Sequence, residues 1–408
     1  MKLGPNFHKS LVASGFANLA DGVFQVALPL LAVQLTRSPL LIAGVAIAAR
    51  LPWLLAPVAG ALADRLDRRR TMLWVNLVRT VLLGGLALAV AADQANLVLL
   101  YAVAVLLGIA ETLFDTSAQS LLPALVARDD LTRANSRLFA VELLANVFLG
   151  PPLGGLLAAA GLAIAMGFPA VAYLAGAGCL ALIAGNFRPV IDRSAGPTRL
   201  RDDVVEGIRY VWRHPVLRPL AVMLGVQNLA FQAVFSVFVL FAVAPGPMEL
   251  SEAGFGILLA TLGVGSVLGT WLAVPAERRL GRVRVLVLSV LLSAATMFVP
   301  VLTSSAVLIG TSFVVSGVAM VLWNVVTVSL RQRITPDRLL GRMNATYRLV
   351  GWGTMPIGSF LGGALAQWLG LRSTFLVAGG LVLVTLAGFR LVTESAIDRA
   401  DAAGAPTG

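Results

Sequence analysis

Apolar runs of some 20 residues recur along the whole chain, separated by short polar turns. A helix rises 1.5 Å per residue, so about 20 apolar residues cross the hydrocarbon slab of a membrane. The pattern predicts spanning helices over 11–34, 40–63, 71–92, 96–122, 138–160 and 162–187, and again over 216–243, 253–275, 284–304, 306–330, 345–369 and 373–393. Six helices, a polar interval and six more make an all-α polytopic membrane protein of twelve transmembrane helices in two six-helix bundles. Residues 1–188 are expected to form the first bundle, 189–215 a cytoplasmic linker and 216–393 the second. The final segment, 394–408, is expected to be a disordered cytoplasmic tail. Within the linker, Leu200, Val204, Ile208, Val211 and Trp212 recur at helical spacing beside Arg201, Arg209 and Arg213. That is the pattern of an amphipathic helix lying on the cytoplasmic membrane face.

Charge placement orients the chain. Of the 31 lysines and arginines, 26 fall in turns on one side of the predicted membrane, including Lys2, Lys9, Arg68 to Arg70 and Arg342. Only Arg37 and Arg372 fall on the other side, and Arg50, Arg79 and Arg348 lie inside predicted helices. Positive turns stay in the cytoplasm, which puts both termini there and the chain in the inner or plasma membrane. The same placement accounts for the net charge of +11 without any nucleic acid. Composition agrees: 58% of residues are hydrophobic and 12% charged, against about 25% charged in soluble domains. A single cysteine, Cys179, excludes a disulfide framework, and with only His8 and His214 beside it no metal centre is expected. No cofactor is expected either. The first apolar run continues to spanning length without an A-x-A-like exit, so no cleaved leader is expected.

The halves repeat. Asn18-Leu19-Ala20 recurs as Asn228-Leu229-Ala230, and Ala63-Asp64-Arg65 as Ala276-Glu277-Arg278. Leu153-Gly154-Gly155 recurs as Leu361-Gly362-Gly363. The matches are collinear, as in transporters built from parallel six-helix repeats.

The loop from Gly60 to Arg70 (GALADRLDRRR) resembles the major facilitator signature G-x-x-x-D-R-x-G-R-R-[KR] between helices two and three. Asp67 replaces the second glycine, which the repeat copy keeps as Gly281. Gly150-Pro151-Pro152-Leu153-Gly154-Gly155 is similar to the G-P-x-x-G-G element of proton-coupled exporters. The stretches from Phe114 to Asn135, Glu206 to Leu217 and Trp352 to Gly363 look like the branch of enterobactin exporters and macrolide efflux proteins. The resemblance implies the major facilitator fold and a gating role for Gly60, Asp64, Arg65 and Arg68, with Glu277 and Arg278 in the second half. It also implies that Asp64 faces the amino end of helix eleven, near Arg342 to Ala345, whose free N–H groups attract an anion. Arg69 and Arg70 are read as topology signals alone. Gly150, Gly154, Gly155, Pro151 and Pro356 would let helices approach closely and bend at the seam of the transport cycle.

Ionisable residues inside a membrane face a cavity or a partner, because a lone charge there costs about 2.5–3.5 kcal/mol. Asp21 and Arg50 come near mid-slab in adjacent helices, so an ion pair between them is expected, either structural or coupling. Glu111 is also deep, and Asp21, Glu111 and Arg50 are the proton-coupling candidates. Asp115 and Glu142 are expected to pair with Arg79, Arg133 or Arg137. Phe24, Gln25, Asn146, Asn228, Phe231, Trp323, Asn324 and Arg348 are candidates for the substrate cavity. The chain carries no G-x-x-x-x-G-K-[ST], H-E-x-x-H or G-x-S-x-G, so an enzyme is not expected. The expected function is proton-coupled export of amphipathic small molecules by a monomer in the bilayer. A siderophore or metabolite exporter is the alternative, and an importer of the same fold a more distant one.

Overall fold

The computed structural model describes residues 3–55, 66–127, 130–185, 187 and 200–404. In chain order the helices are α1 (Pro5–Leu35), α2 (Pro39–Arg50), α3 (Arg68–Ala91), α4 (Leu97–Leu125), α5 (Leu131–Glu142), α6 (Gly150–Ala160) and α7 (Leu162–Ala181). Then come α8 (Leu200–Arg213), α9 (Leu217–Phe235), α10 (Phe238–Ala242), α11 (Glu252–Leu280), α12 (Arg282–Leu302), α13 (Ala306–Ile334), α14 (Asp337–Leu369), α15 (Leu371–Val384) and α16 (Glu394–Gly404). Among the described residues ten helices are long and apolar enough to cross a membrane, and Pro39–Leu54 is a shorter apolar one. With α9, these stand where the sequence pattern put its twelve spans. The protein is an all-α polytopic membrane protein with the major facilitator fold.

Helix starts follow local chemistry. Pro5 and Pro39 occupy first helical positions, where no N–H partner is lost. Asn96 Oδ1 accepts from the Leu99 amide (3.0 Å) to cap α4, and Asp67 Oδ1 accepts from the Arg70 amide (2.9 Å) to cap α3. Asp67, the departure from the family signature, therefore acts as a helix cap. Gly281, its repeat counterpart, takes φ +84° and has no side chain to cap with. The sharp junctions α6–α7 and α14–α15 both turn on a positive-φ glycine, Gly161 and Gly370.

The chain divides into two compact units, Met1–Asp192 with Val239–Ala260, and Arg193–Phe238 with Thr261–Gly408. In the first, a Cβ on Gly150 would lie 2.5 Å from the Gly22 Cα, and one on Gly154 2.8 Å from the Val23 carbonyl oxygen. In the second, Cβ atoms on Gly358 and Gly362 would lie 2.2 and 2.0 Å from the Leu229 and Ala233 carbonyl oxygens. Both units thus join the same pair of helices, α1 to α6 and α9 to α14, by backbone contact through glycines four apart. This close approach is how helices gain packing in lipid, where burial of apolar surface supplies little drive. Gly155 of α6 meets Glu252 and Gly256 at the start of α11 in the same way, which ties Val239–Ala260 to the first unit.

Three expectations change. Residues 394–404 are helical, not disordered: Val392, Ile397 and Ala400 are buried in the core of the second unit. The acids of α16, at Glu394, Asp398 and Asp401, surround Arg282 on another side. Helix eleven starts at Asp337 rather than near 345, because the fixed φ of Pro336 suits the position just before a helix. Within the linker, Leu200–Arg213 is helical, and Val211, expected on the membrane-facing side, is instead buried in the protein core while Val205 is exposed.

Candidate functional site

A polar cluster lies inside the first unit, built on α1, α3, α4 and α7. Asp21 of α1 accepts a hydrogen bond from the Tyr173 hydroxyl of α7. The Arg79 guanidinium of α3 sits over the Tyr173 ring (5.0 Å to the centroid) and over the Phe114 ring of α4 (5.1 Å). Arg79 is 1% exposed, and among the described residues its Nη1 and Nη2 donate no hydrogen bond. Asp21, Glu111 and Asp115 complete its electrostatic surroundings. One helical turn away, Asn76 is fully buried, and among the described residues both its amide atoms are unpartnered. A buried cation is tolerable here because two aromatic faces and nearby acids replace water, each desolvated ring contact contributing about 2 kcal/mol.

The predicted coupling residues divide. Asp21 and Glu111 belong to the cluster. Arg50 instead lies over Trp53 at 6.0 Å, and Arg79 outweighs it in the surroundings of Asp21. The expected Asp21–Arg50 ion pair is not formed among the described residues. Arg50 ends α2 and Trp53 stands three residues on, in the 3₁₀ turn Leu51–Leu55, so the two side chains share one side of the chain. Tyr173 and Arg79 were the missing parts. Arg79 was visible as a charge within a predicted helix, but nothing in the sequence joined it to Asp21.

Of the gating residues, Gly60, Asp64 and Arg65 lie outside the described residues. Arg68 opens α3, and Glu277 and Arg278 lie in the last turn of α11. Arg69, read as a topology signal, also has a structural role, since it donates to the Ala181 carbonyl (3.2 Å), as Lys9 does to Leu182 (2.7 Å). Both cations thereby serve the negative end of α7. Arg342 lies inside α14 and pairs with Glu206 of α8.

Pro151 and Pro152 deny hydrogen bonds to the carbonyls four residues earlier. The backbone answers with a π-helical segment, Leu143–Leu149, in which the Gly150 amide bonds to Ala145 O. Pro356 lies within the continuous α14.

The cavity candidates are shared between the two units. Phe24, Gln25 and Asn146 are half-buried in the first unit. In the second, Asn228 Nδ2 donates to the Gly351 carbonyl (3.0 Å) and Arg348 lies over Trp352 (5.3 Å). Trp323 is a buried packing residue and Asn324 is exposed. Phe231 stacks on Phe235 (5.6 Å) and lines an apolar cavity with Phe238, Met297, Phe313 and Phe375.

Known proteins share both the sequence pattern and the fold. The family of transmembrane secretion effectors matches residues 5–405. The chain belongs to this family of major facilitator transporters. It is 31% identical to the multidrug efflux pump Tap of Mycolicibacterium fortuitum over 90% of each chain. It is 24% identical to the enterobactin exporter EntS of Salmonella typhimurium (strain LT2), over 95% of this chain and 92% of that one. Solved structures share the fold: a bacterial homologue of the iron transporter ferroportin (TM-score 0.74, 19% identical, 96% of this chain and 99% of that one) and the nucleoside transporter NupG (TM-score 0.74, 13% identical, 95% and 100%). This transmembrane secretion effector is a multi-pass efflux transporter of small molecules.

Proposed function

We propose that the transporter is a proton-coupled exporter of amphipathic molecules, a monomer in the cell membrane with both termini in the cytoplasm, and that it performs no covalent chemistry. The observation that carries the reading is the Asp21–Tyr173–Arg79 cluster. With Asp21 ionised, the Tyr173 proton and the Arg79 charge stabilise the carboxylate. When Asp21 takes a proton, Arg79 loses its counter-charge and turns to Glu111 or Asp115 on α4. Proton loading thereby changes the force between α1, α3 and α4, the kind of bias an alternating-access cycle needs. The approximately 30% identity to multidrug efflux pumps supports a broad substrate range. Export of a siderophore is the second reading, supported by the enterobactin exporter among the relatives.

Inside-out vesicles test the proposal. An acid interior should drive accumulation of cationic amphipathic drugs, since protons leave as substrate enters. Accumulation only with an alkaline interior would mean symport and refute the direction.

A further inference from the structure

Helix α8 has one face locked to the second unit and another left open. Gly207 abuts the α14 backbone so closely that a Cβ would meet the Arg342 carbonyl oxygen at 2.6 Å. Glu206 pairs with Arg342, the Tyr210 hydroxyl donates to Ile334 O (3.2 Å), and Val211 is fully buried. After a short turn, His214 Nδ1 accepts from the Val216 and Leu217 amides (3.1 and 3.2 Å), which fixes α8 to the start of α9. Burial lowers the pKa of His214, and the neutral ring is the form that can accept.

The open face consists of Val205, Ile208, Arg209 and Trp212, spaced i, i+3, i+4 and i+7, with Arg213 beside them. Val205, Ile208 and Trp212 are 43%, 36% and 47% exposed, and both arginines are exposed too. The half-buried acid Glu206 is turned away toward Arg342, so the described charges on this face are both positive. A row of Val, Ile and Trp flanked by guanidinium groups, pinned three residues from a spanning helix, matches the boundary between headgroups and acyl chains. There apolar side chains enter the acyl region, the indole sits at headgroup level, and arginines meet phosphate. We propose that this face of α8 docks on anionic phospholipid headgroups. Lipid is favoured over a protein partner because the stripe is apolar, aromatic and cationic and lies directly before the spanning helix α9, where the bilayer boundary must pass. Because Glu206 and Gly207 hold the opposite face to α14, bound lipid would be felt at the Glu206–Arg342 pair. The proposal does not depend on the transported substrate or on proton coupling, and its test measures no transport.

The experiment places a bimane fluorophore on Ile208→Cys in a Cys179→Ser background. The protein is reconstituted in bilayers containing doxyl-labelled phosphatidylglycerol or doxyl-labelled phosphatidylcholine. The expected result is strong quenching by both, with phosphatidylglycerol preferred. Arg209→Gln and Arg213→Gln should each lower that preference by about fivefold. Among the described residues these arginines make no contact that holds α8, so a folded protein with an altered lipid preference is the readout. Equal quenching by both lipids in the parent would overturn the headgroup assignment. Absence of quenching by either would show that the face does not meet the bilayer and would leave a protein partner as its occupant.

Discussion

Arg282, the first residue of α12, is held by three acids of the C-terminal helix. Its Nε lies 3.3 Å from Glu394 Oε2 and its Nη1 2.9 Å from Asp401, while Nη2 meets Asp398. Glu394 has a second role, because its Oε1 accepts from the Val283 amide (2.8 Å). It thus supplies to α12 the cap that Gly281 lacks and that Asp67 gives α3 from within its own chain segment. A partly exposed ion pair contributes about 0.2–1 kcal/mol and a helix cap about 0.5–2 kcal/mol. Glu394→Ala should therefore weaken the docking of α16 by about 1–3 kcal/mol. Asp398→Ala, which removes one pair at a 64% exposed side chain, should cost at most about 1 kcal/mol. At tenfold per 1.4 kcal/mol, amide exchange in 394–404 should rise from about fivefold to a hundredfold for Glu394→Ala, and by no more than about fivefold for Asp398→Ala. Hydrogen exchange with mass spectrometry on peptides covering α16 and the start of α12 reads both. High salt should narrow the pair contribution and leave the cap. Equal effects of the two substitutions, or none at the α12 amides, would refute the two-role assignment of Glu394.

Other substitutions test packing, capping and topology. Gly362→Ala places a methyl 2.0 Å from the Ala233 carbonyl oxygen and should cost about 1–3 kcal/mol, seen as a lower thermal midpoint in detergent. Gly380→Ala, with nothing within 4 Å, should not lower it, and equal midpoints would contradict the close contact between α9 and α14. Asp67→Ala should cost about 1 kcal/mol through loss of the α3 cap and Asp67→Gly only a few tenths, read as exchange in the first turn of α3; identical exchange would deny the cap. Cysteines replacing Arg69 and Arg372 should react with impermeant reagents from opposite sides, the first from the cytoplasm, and labelling from one side would break the span count.

Much of the fold was legible because membrane helices carry a long, one-signed signal: apolar stretches with arginines at alternate ends. The paired glycines were legible too, since only a residue without a Cβ allows contacts like those of Gly150 with Gly22 and Gly362 with Ala233. Short elements were not. The charge of α16 suggests solvent, yet Ile397 and Ala400 stand three apart on one side while Glu394, Asp398 and Asp401 share another. Eleven residues give that pattern little weight against composition, and its partner Arg282 lies more than 100 residues away. The cluster around Arg79 failed for a related reason. Depth along a helix can be counted from sequence, but rotation about its axis cannot, and rotation decides that Asp21 meets Tyr173 and Arg79 while Arg50 stacks on Trp53.

In the proposed mechanism Asp21, steered by Tyr173 and Arg79, carries the coupling proton. Its most direct test compares uphill, pH-driven accumulation with downhill substrate exchange in inside-out vesicles, for the parent, Asp21→Asn and Glu111→Gln. Asp21→Asn should abolish accumulation against the substrate gradient while leaving exchange largely intact, and Glu111→Gln should keep a measurable part of both. If the Asp21→Asn protein still concentrates substrate under the imposed pH gradient, Asp21 is not the proton carrier and the proposed coupling is wrong.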